Sequence, residues 1–416
     1  WLLVPLLACH TLSAYRLELA AAKQRHRRRG PLFVSCGNPV LLRKVNPKPM
    51  AIDLFAGAGG KTEGVRKAGF QSVLANEYDE MAGLTFQTNH PDVPLLVKDV
   101  KTLSVDEVLE RTGLAVGELS LISGGPPCQG FSLAGPRFDG DPRNQMFKEF
   151  VRLVDGLRPQ AFLFENVSGI LSMSGGSVLR AIMSEFTDIG YRCEYKLLSA
   201  ADYGVPQARP RFILIGVRDG DVIGFPEPTH GQATLNRDLF AGELQPHVTV
   251  WDALSDLPVI HQGEGDEVMS HSGVYQNAYQ KARRGQRKPG QIFNHRATRH
   301  SDVIVQRYAA IPEGGDNSQV PDELRTKKIN VFKLDSQKPS RTVTCNHRTD
   351  LLHPKVPRGT TVREAARLQS FDDDYQFFGN LTRKAKWVTQ DDQVGNAVPP
   401  LLAKAIGEHI KRKMQW

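Results

Sequence analysis

Residues 50–60 read Met50-Ala51-Ile52-Asp53-Leu54-Phe55-Ala56-Gly57-Ala58-Gly59-Gly60, a short apolar run around one acid that breaks into glycines. Ala51 to Phe55 has the length and apolarity of a buried strand, and the amphipathic stretch beyond the glycines predicts a helix starting near Lys61. Glycines let the backbone approach a ligand closely at the C-terminal end of such a strand. Further apolar runs at Ser72 to Asn76, Ser120 to Ser123, Ala161 to Phe164 and Arg211 to Val217 are separated by amphipathic stretches. This alternation predicts an α/β fold with a parallel, doubly wound sheet covered by helices, its ligands at the C-terminal ends of the central strands.

The bulk properties fit that expectation. A chain of 416 residues with 40% hydrophobic content can bury a large core, either as two domains or as one with a sizeable insertion. An excess of 53 Lys+Arg over 45 Asp+Glu gives a net charge of +8, which suits a polyanionic partner without requiring one. Five cysteines at 9, 36, 128, 193 and 345 form no CxxC pair, so neither a disulfide framework nor a zinc site is expected, and no metal is assigned. A reducing, cytoplasmic setting follows from this cysteine usage. No apolar run approaches the roughly 18 residues needed for a membrane-spanning helix.

Boundaries come from changes of character along the chain. Residues 1–46 lack a core-like pattern, contain the basic cluster Arg25-His26-Arg27-Arg28-Arg29, and read as an extension outside the folded domain. Residues 47–224 carry the strand–helix alternation. Residues 225–341 are rich in Pro, Gly, His, Gln and Arg with weak periodicity and read as a second, irregular module. Residues 342–416 resume helical patterns that return to the first domain.

Five elements besides the glycine turn carry chemistry. Glu77 ends the second strand, where an acid can accept hydrogen bonds from ribose hydroxyls, and Asp99 follows Leu95-Leu96-Val97-Lys98, where it could hold an adenine amino group. Gly124-Gly125-Pro126-Pro127-Cys128-Gln129-Gly130-Phe131-Ser132 follows the strand Leu121-Ile122-Ser123 directly. Paired prolines and flanking glycines constrain Cys128 to the sheet's ligand edge, in a run too polar for a core cysteine. Phe162-Leu163-Phe164-Glu165-Asn166-Val167 places an acid at the end of an apolar strand, where desolvation should raise its pKa and make it a proton donor. Arg209 and Arg211 of Gln207-Ala208-Arg209-Pro210-Arg211 alternate, so both can point the same way beside the other groups.

Taken in order, DLFAGAGG, GGPPCQGFS, FENV, GVPQARPRFILIGVR, REAARLQSF and QVGNAVPP resemble the motif set of the DNA cytosine-5 methyltransferase family, over about Met50 to Ile410. The resemblance implies a class I S-adenosylmethionine-dependent methyltransferase fold with a smaller, irregular target-recognition region, here residues 225–341. It implies Cys128 as nucleophile, Glu165 as the group on cytosine N3, and Arg211, supported by Arg209, at O2. Cofactor contacts would come from Phe55, Ala56, Gly57, Gly59, Glu77, Tyr78, Asp99, Val100, Pro127, Asn396 and Val398. Ser132 and Arg143 resemble loop positions that meet DNA phosphate, and the basic stretch containing Arg283, Arg284, Arg287 and Lys288 would add phosphate contacts.

The chemistry agrees independently. Cytosine C5 becomes nucleophilic only after addition at C6, for which a thiolate is suited, and the base must leave the duplex to be reached. The expected partner is double-stranded DNA, with a separately acting restriction endonuclease for a bacterial restriction–modification member, action as a monomer and association with the nucleoid. A tRNA cytosine-5 methyltransferase shares these motifs, but its Cys-Phe-Thr is absent where this chain has Thr344-Cys345-Asn346. A catalytically silent DNA-binding relative is disfavoured by the intact Cys128, Glu165, Arg209 and Arg211. A Rossmann dehydrogenase rests on the glycine turn alone.

Overall fold

Seven strands form one sheet in the order β3-β2-β1-β4-β5-β7-β6 in the computed structural model, which describes residues 48–127, 145–231, 244–271, 273–381 and 388–416. The strands are β1 (Met50–Leu54), β2 (Gln71–Glu77), β3 (Leu95–Val97), β4 (Leu121–Gly124), β5 (Ala161–Val167), β6 (Arg192–Ser199) and β7 (Pro210–Val217). β1 to β5 pair in parallel, whereas β7 runs antiparallel to both β5 and β6. The all-parallel expectation therefore holds only for the first five strands. β6 was not anticipated because its charged residues Arg192, Glu194 and Lys196 suit a half-exposed sheet edge and break the apolar signal.

Period-two alternation divides each central strand between two cores. Ile52, Leu54, Ile122, Phe162, Phe164, Phe212 and Leu214 face one side, where the helices Gln145–Leu157 and Ser177–Asp188 supply Phe150, Val154, Ile182 and Phe186. Ala51, Leu121, Leu163, Ile213 and Ile215 face the other, against the helix Gly60–Lys67 and the terminal helix Pro400–Lys413. Those two helices approach so closely that a Cβ on Gly64 would collide with the Pro400 carbonyl and Ala403. This contact brings the C-terminus back onto the first strand–turn–helix unit, as the terminal periodicity suggests.

Within residues 225–341, the described part has short elements: an antiparallel pair, β8 (Gly265–Ser270) with β9 (Gln291–Arg296), and helices no longer than Asp302–Ala310. Its apolar residues Val250, Ala253, Leu254 and Ile292 share a core with Val362, Ala365, Leu368, Phe371 and Tyr375. Lys48–Trp416 groups as one unit.

Candidate active site

The antiparallel turn of β7 builds the centre of the site. Because β7 reverses, its first residues lie beside the C-terminal end of β5, with Arg211 opposite Val167 and Ile213 opposite Glu165. Glu165 and Arg211 have the same alternation phase as the residues of one core face, so they meet diagonally: Arg211 Nε lies 2.9 Å from Glu165 Oε1, both side chains nearly buried. Burial pulls the Arg211 guanidinium below its usual range and the Glu165 carboxylate opposes that. Nothing in the strand of Glu165 itself announces this neighbouring cation. Gly125 lies directly against the same acid, since a Cβ there would stand 3.0 Å from Glu165 Oε2. The next strand residue, Asn166, donates from Nδ2 to the Pro126 carbonyl at 3.0 Å, tying the Gly125–Pro127 turn to β5.

A second cluster lies at the ends of β1, β2 and β3. Phe55, Gly57 and Gly59 all have positive φ, which leaves the backbone amides pointing out of the strand direction. The Gly57 amide donates to Glu77 Oε2 at 2.7 Å and the Asp79 amide to Glu77 Oε1 at 2.9 Å. Burial raises the Glu77 carboxyl above its usual range, against the pull of the Asp79, Gly57 and Tyr78 amides. Tyr78 next to it is 66% exposed. Asp99 caps the short turn Val100–Thr102 by accepting from the Lys101 amide at 3.0 Å, while Val100 is in the core. Among the described residues, nothing but its chain neighbours lies within 4 Å of a Cβ placed on Gly57, so there is room over a turn whose amide meets the Glu77 acid, and the exposed Tyr78 follows that acid in the chain. That combination fits a nucleoside cofactor.

Beneath the turn is a buried network that the sequence reading did not assign. Asp53, only 4% exposed, pairs with Lys61 at 2.8 Å and accepts from Thr62 Oγ1 at 2.5 Å and Ser123 Oγ at 3.1 Å. It joins the glycine turn, the helix after it and β4, the strand that leads to Gly125–Pro127. Its signal was the lone acid inside an apolar strand.

Residues 50–412 match the family described as C-5 cytosine-specific DNA methylase. The chain belongs to this family. It is 38% identical over 377 residues to the type II methyltransferase M.DdeI of Desulfomicrobium norvegicum, covering 86% of this chain and 88% of that protein. It is also 38% identical to M1.HphI of Haemophilus parahaemolyticus over 365 residues, 86% of each chain. The crystal structure of an Escherichia coli prophage protein assigned as a DNA modification methyltransferase superposes with a TM-score of 0.71 at 28% identity, covering 89% of this chain and 100% of that one. The Dnmt2 methyltransferase of S. pombe, at 16% identity and a TM-score of 0.53 over 89% of this chain and all of that one, is a likeness of fold alone. The protein is thus a DNA cytosine-5 methyltransferase with a class I fold, and S-adenosylmethionine is its methyl donor.

In this methylase the remaining motif residues separate into several groups. Cys128, Ser132 and Arg143 lie outside the described residues. Arg209 is 1% exposed and precedes β7, and its guanidinium donates to the carbonyls of Val343 at 2.7 Å, Gly395 at 2.6 Å and Ala397 at 3.1 Å. It therefore fastens two C-terminal segments to the base of the Arg211 strand, and does not share Arg211's contact with Glu165. Asn396 is exposed and accepts from Cys345 Sγ at 3.1 Å; Val398 is half-buried, and its carbonyl closes over Gly60.

The basic stretch departs furthest from expectation. Arg283 pairs with Asp372 at 3.2 Å, Arg284 with Asp256 at 2.7 Å, and Arg287 with Glu63 and with Asp374 at 3.4 Å. Gly285 is needed where the turn wraps Asp374, whose carboxylate accepts from the amides of Arg287 and Lys288. Three of the four proposed phosphate ligands are thus held by the chain's own carboxylates, and a phosphate would have to displace them. Lys288 has no carboxylate partner among the described residues; it is exposed, with its ammonium 5.1 Å from the centre of the Phe293 ring. The overlooked signal was the run Asp372-Asp373-Asp374 just after REAARLQSF.

Proposed function

We propose that this protein methylates C5 of a cytosine extruded from a specific duplex sequence, through a covalent adduct on Cys128. The observation that carries this reading is the Glu165–Arg211 pair packed against the Gly125–Pro127 turn, with Cys128 the next residue of the chain. The Cys128 thiolate adds to C6, Glu165 protonates or hydrogen-bonds N3, and Arg211 steadies charge at O2, so that C5 gains enamine character. When bound, S-adenosylmethionine supplies the electrophilic methyl group. Loss of the C5 proton and departure of Cys128 then restore aromaticity. Gly57, Gly59, Phe55, Ala56 and Glu77 would hold the cofactor, with Tyr78, Asp99, Val100, Pro127, Asn396 and Val398 around it.

Arg209 acts by position, keeping the Gly395–Ala397 turn beside Arg211. Residues 47–224 and 342–416 make up the catalytic part and 225–341 the target-recognition region. Ser132, Arg143 and Lys288 remain candidates for DNA phosphate. The type II designation of the relatives supports a separate restriction endonuclease sharing the target, with the methylase acting as a monomer on nucleoid DNA. Bisulfite sequencing of DNA from cells expressing the chain tests this reading. Protected cytosines should fall in one sequence context; unmodified DNA alongside methylated tRNA would overturn it.

A further inference from the structure

The cofactor turn is supported from behind by side chains that come from far along the sequence. Tyr375 is buried, and its hydroxyl donates to the Ala58 carbonyl inside the turn. Gly59 has no Cβ to spare there: one would stand 2.7 Å from Tyr375 Oη and 2.9 Å from the His90 ring. His90 Nε2 lies 3.1 Å from the same hydroxyl and His90 Nδ1 3.8 Å from Glu63 Oε2. Burial lowers His90 to about 4, so its ring is neutral near pH 7. Arg287 closes the cluster, with its guanidinium 5.2 Å from the centre of the Tyr375 ring, paired with Glu63 and donating to the Asn89 carbonyl at 3.3 Å. Glu63 belongs to the helix Gly60–Lys67, which starts where the turn ends.

We propose that Tyr375 and Arg287 are positioning residues that set the shape of the Phe55–Gly59 turn from its far side, so that methyl-donor affinity depends on a residue of the target-recognition region. This rests on the reading of the turn and Glu77 as the cofactor site. The physical reason is preorganisation: a turn whose carbonyl is already fixed by Tyr375 and whose helix is fixed by Arg287 loses less freedom when a ligand settles on it. Removing the Tyr375 hydroxyl leaves the Ala58 carbonyl buried without that donor, and the turn relaxes to find another.

The test is titration of the full chain with S-adenosylmethionine by calorimetry, together with steady-state methyl transfer. Tyr375→Phe keeps the ring packing and should weaken cofactor binding about fivefold, on the scale of one lost hydrogen bond, with kcat at saturating cofactor within about twofold. Arg287→Ala should weaken binding similarly and Arg287→Lys should recover part of it. The double variant should be no weaker than the poorer single variant, because both act through one turn. Tyr375→Phe carries the test should Arg287→Ala fail to fold. Glu77→Ala separates the two readings. Weakened binding in Glu77→Ala with unchanged binding in Tyr375→Phe overturns the positioning role alone, whereas unchanged binding in Glu77→Ala removes the cofactor reading beneath it. Additive losses in the double variant also count against a shared turn.

Discussion

Glu77 is held by backbone amides on both of its oxygens, one of them the amide of Gly57, where a Cβ would meet nothing among the described residues but its chain neighbours within 4 Å. Glu77→Ala should raise the dissociation constant for S-adenosylmethionine by about tenfold or more, the scale of hydrogen bonds to a charged group, with a smaller effect on the chemical step. Unchanged affinity by calorimetry would remove Glu77 from the site. Glu63 illustrates a charge held for structure. Burial alone would raise its carboxyl, but Lys67 and Arg287 outweigh that and hold it down at about 2, against the usual 4.5. A carboxylate depressed by folding contributes stability that is full above its unfolded value and is lost as pH falls through the folded one. Glu63→Gln should therefore be less stable than wild type by about 3 kcal/mol at neutral pH, and the gap should close as pH falls from 4.5 toward 2. Urea unfolding across that window reads it, and a gap independent of pH contradicts the assignment.

Among the elements, strands β1, β2, β4, β5 and β7 were legible because central strands of such a sheet are nearly continuous apolar runs, and Glu165 and Arg211 were legible as polar groups at their ends. The direction of β7 was not, since a strand reads the same either way; yet that reversal is what brings Arg211 to Glu165. The partners of Arg283, Arg284 and Arg287 were hidden for a related reason, because pairing across as many as 224 residues leaves no periodic trace. Arg283→Gln should accordingly lower the thermal midpoint and leave the salt dependence of duplex binding unchanged, while Lys288→Gln should reduce that slope by about one. Equal changes in salt slope for both variants would restore the phosphate reading for Arg283. The helix Val362–Leu368 is fixed in the same manner, with Arg367 fully buried between Asp256 at 2.9 Å and Asp373 at 2.5 Å. Arg367→Met would leave Asp373 without its guanidinium partner and Asp256 with Arg284 as its remaining ion-pair partner, and should destabilise the chain by about 3–5 kcal/mol in denaturant unfolding. A loss under about 1 kcal/mol would show that the carboxylates find other partners.

For the whole molecule, the glycine turn, the Glu165–Arg211 pair and the returning C-terminal segments converge on one edge of one sheet, which is what a single methyl transfer to an extruded base requires. Every motif lies within residues 48–416, so deletion of residues 1–46 should leave cofactor binding and methyl transfer intact, and loss of either would make that segment part of the enzyme. Cys128→Ser should abolish transfer while keeping duplex binding, because a serine hydroxyl offers almost no anion to add at C6 near neutral pH. The covalent step is read most directly with duplex DNA that carries 5-fluorocytosine at the target, in the presence of S-adenosylmethionine. Fluorine cannot leave as the proton does, so a denaturation-resistant protein–DNA adduct should accumulate, with peptide mapping placing it on Cys128. Methyl transfer to ordinary duplex DNA by the same preparation, with no adduct on the fluorinated duplex, would contradict it.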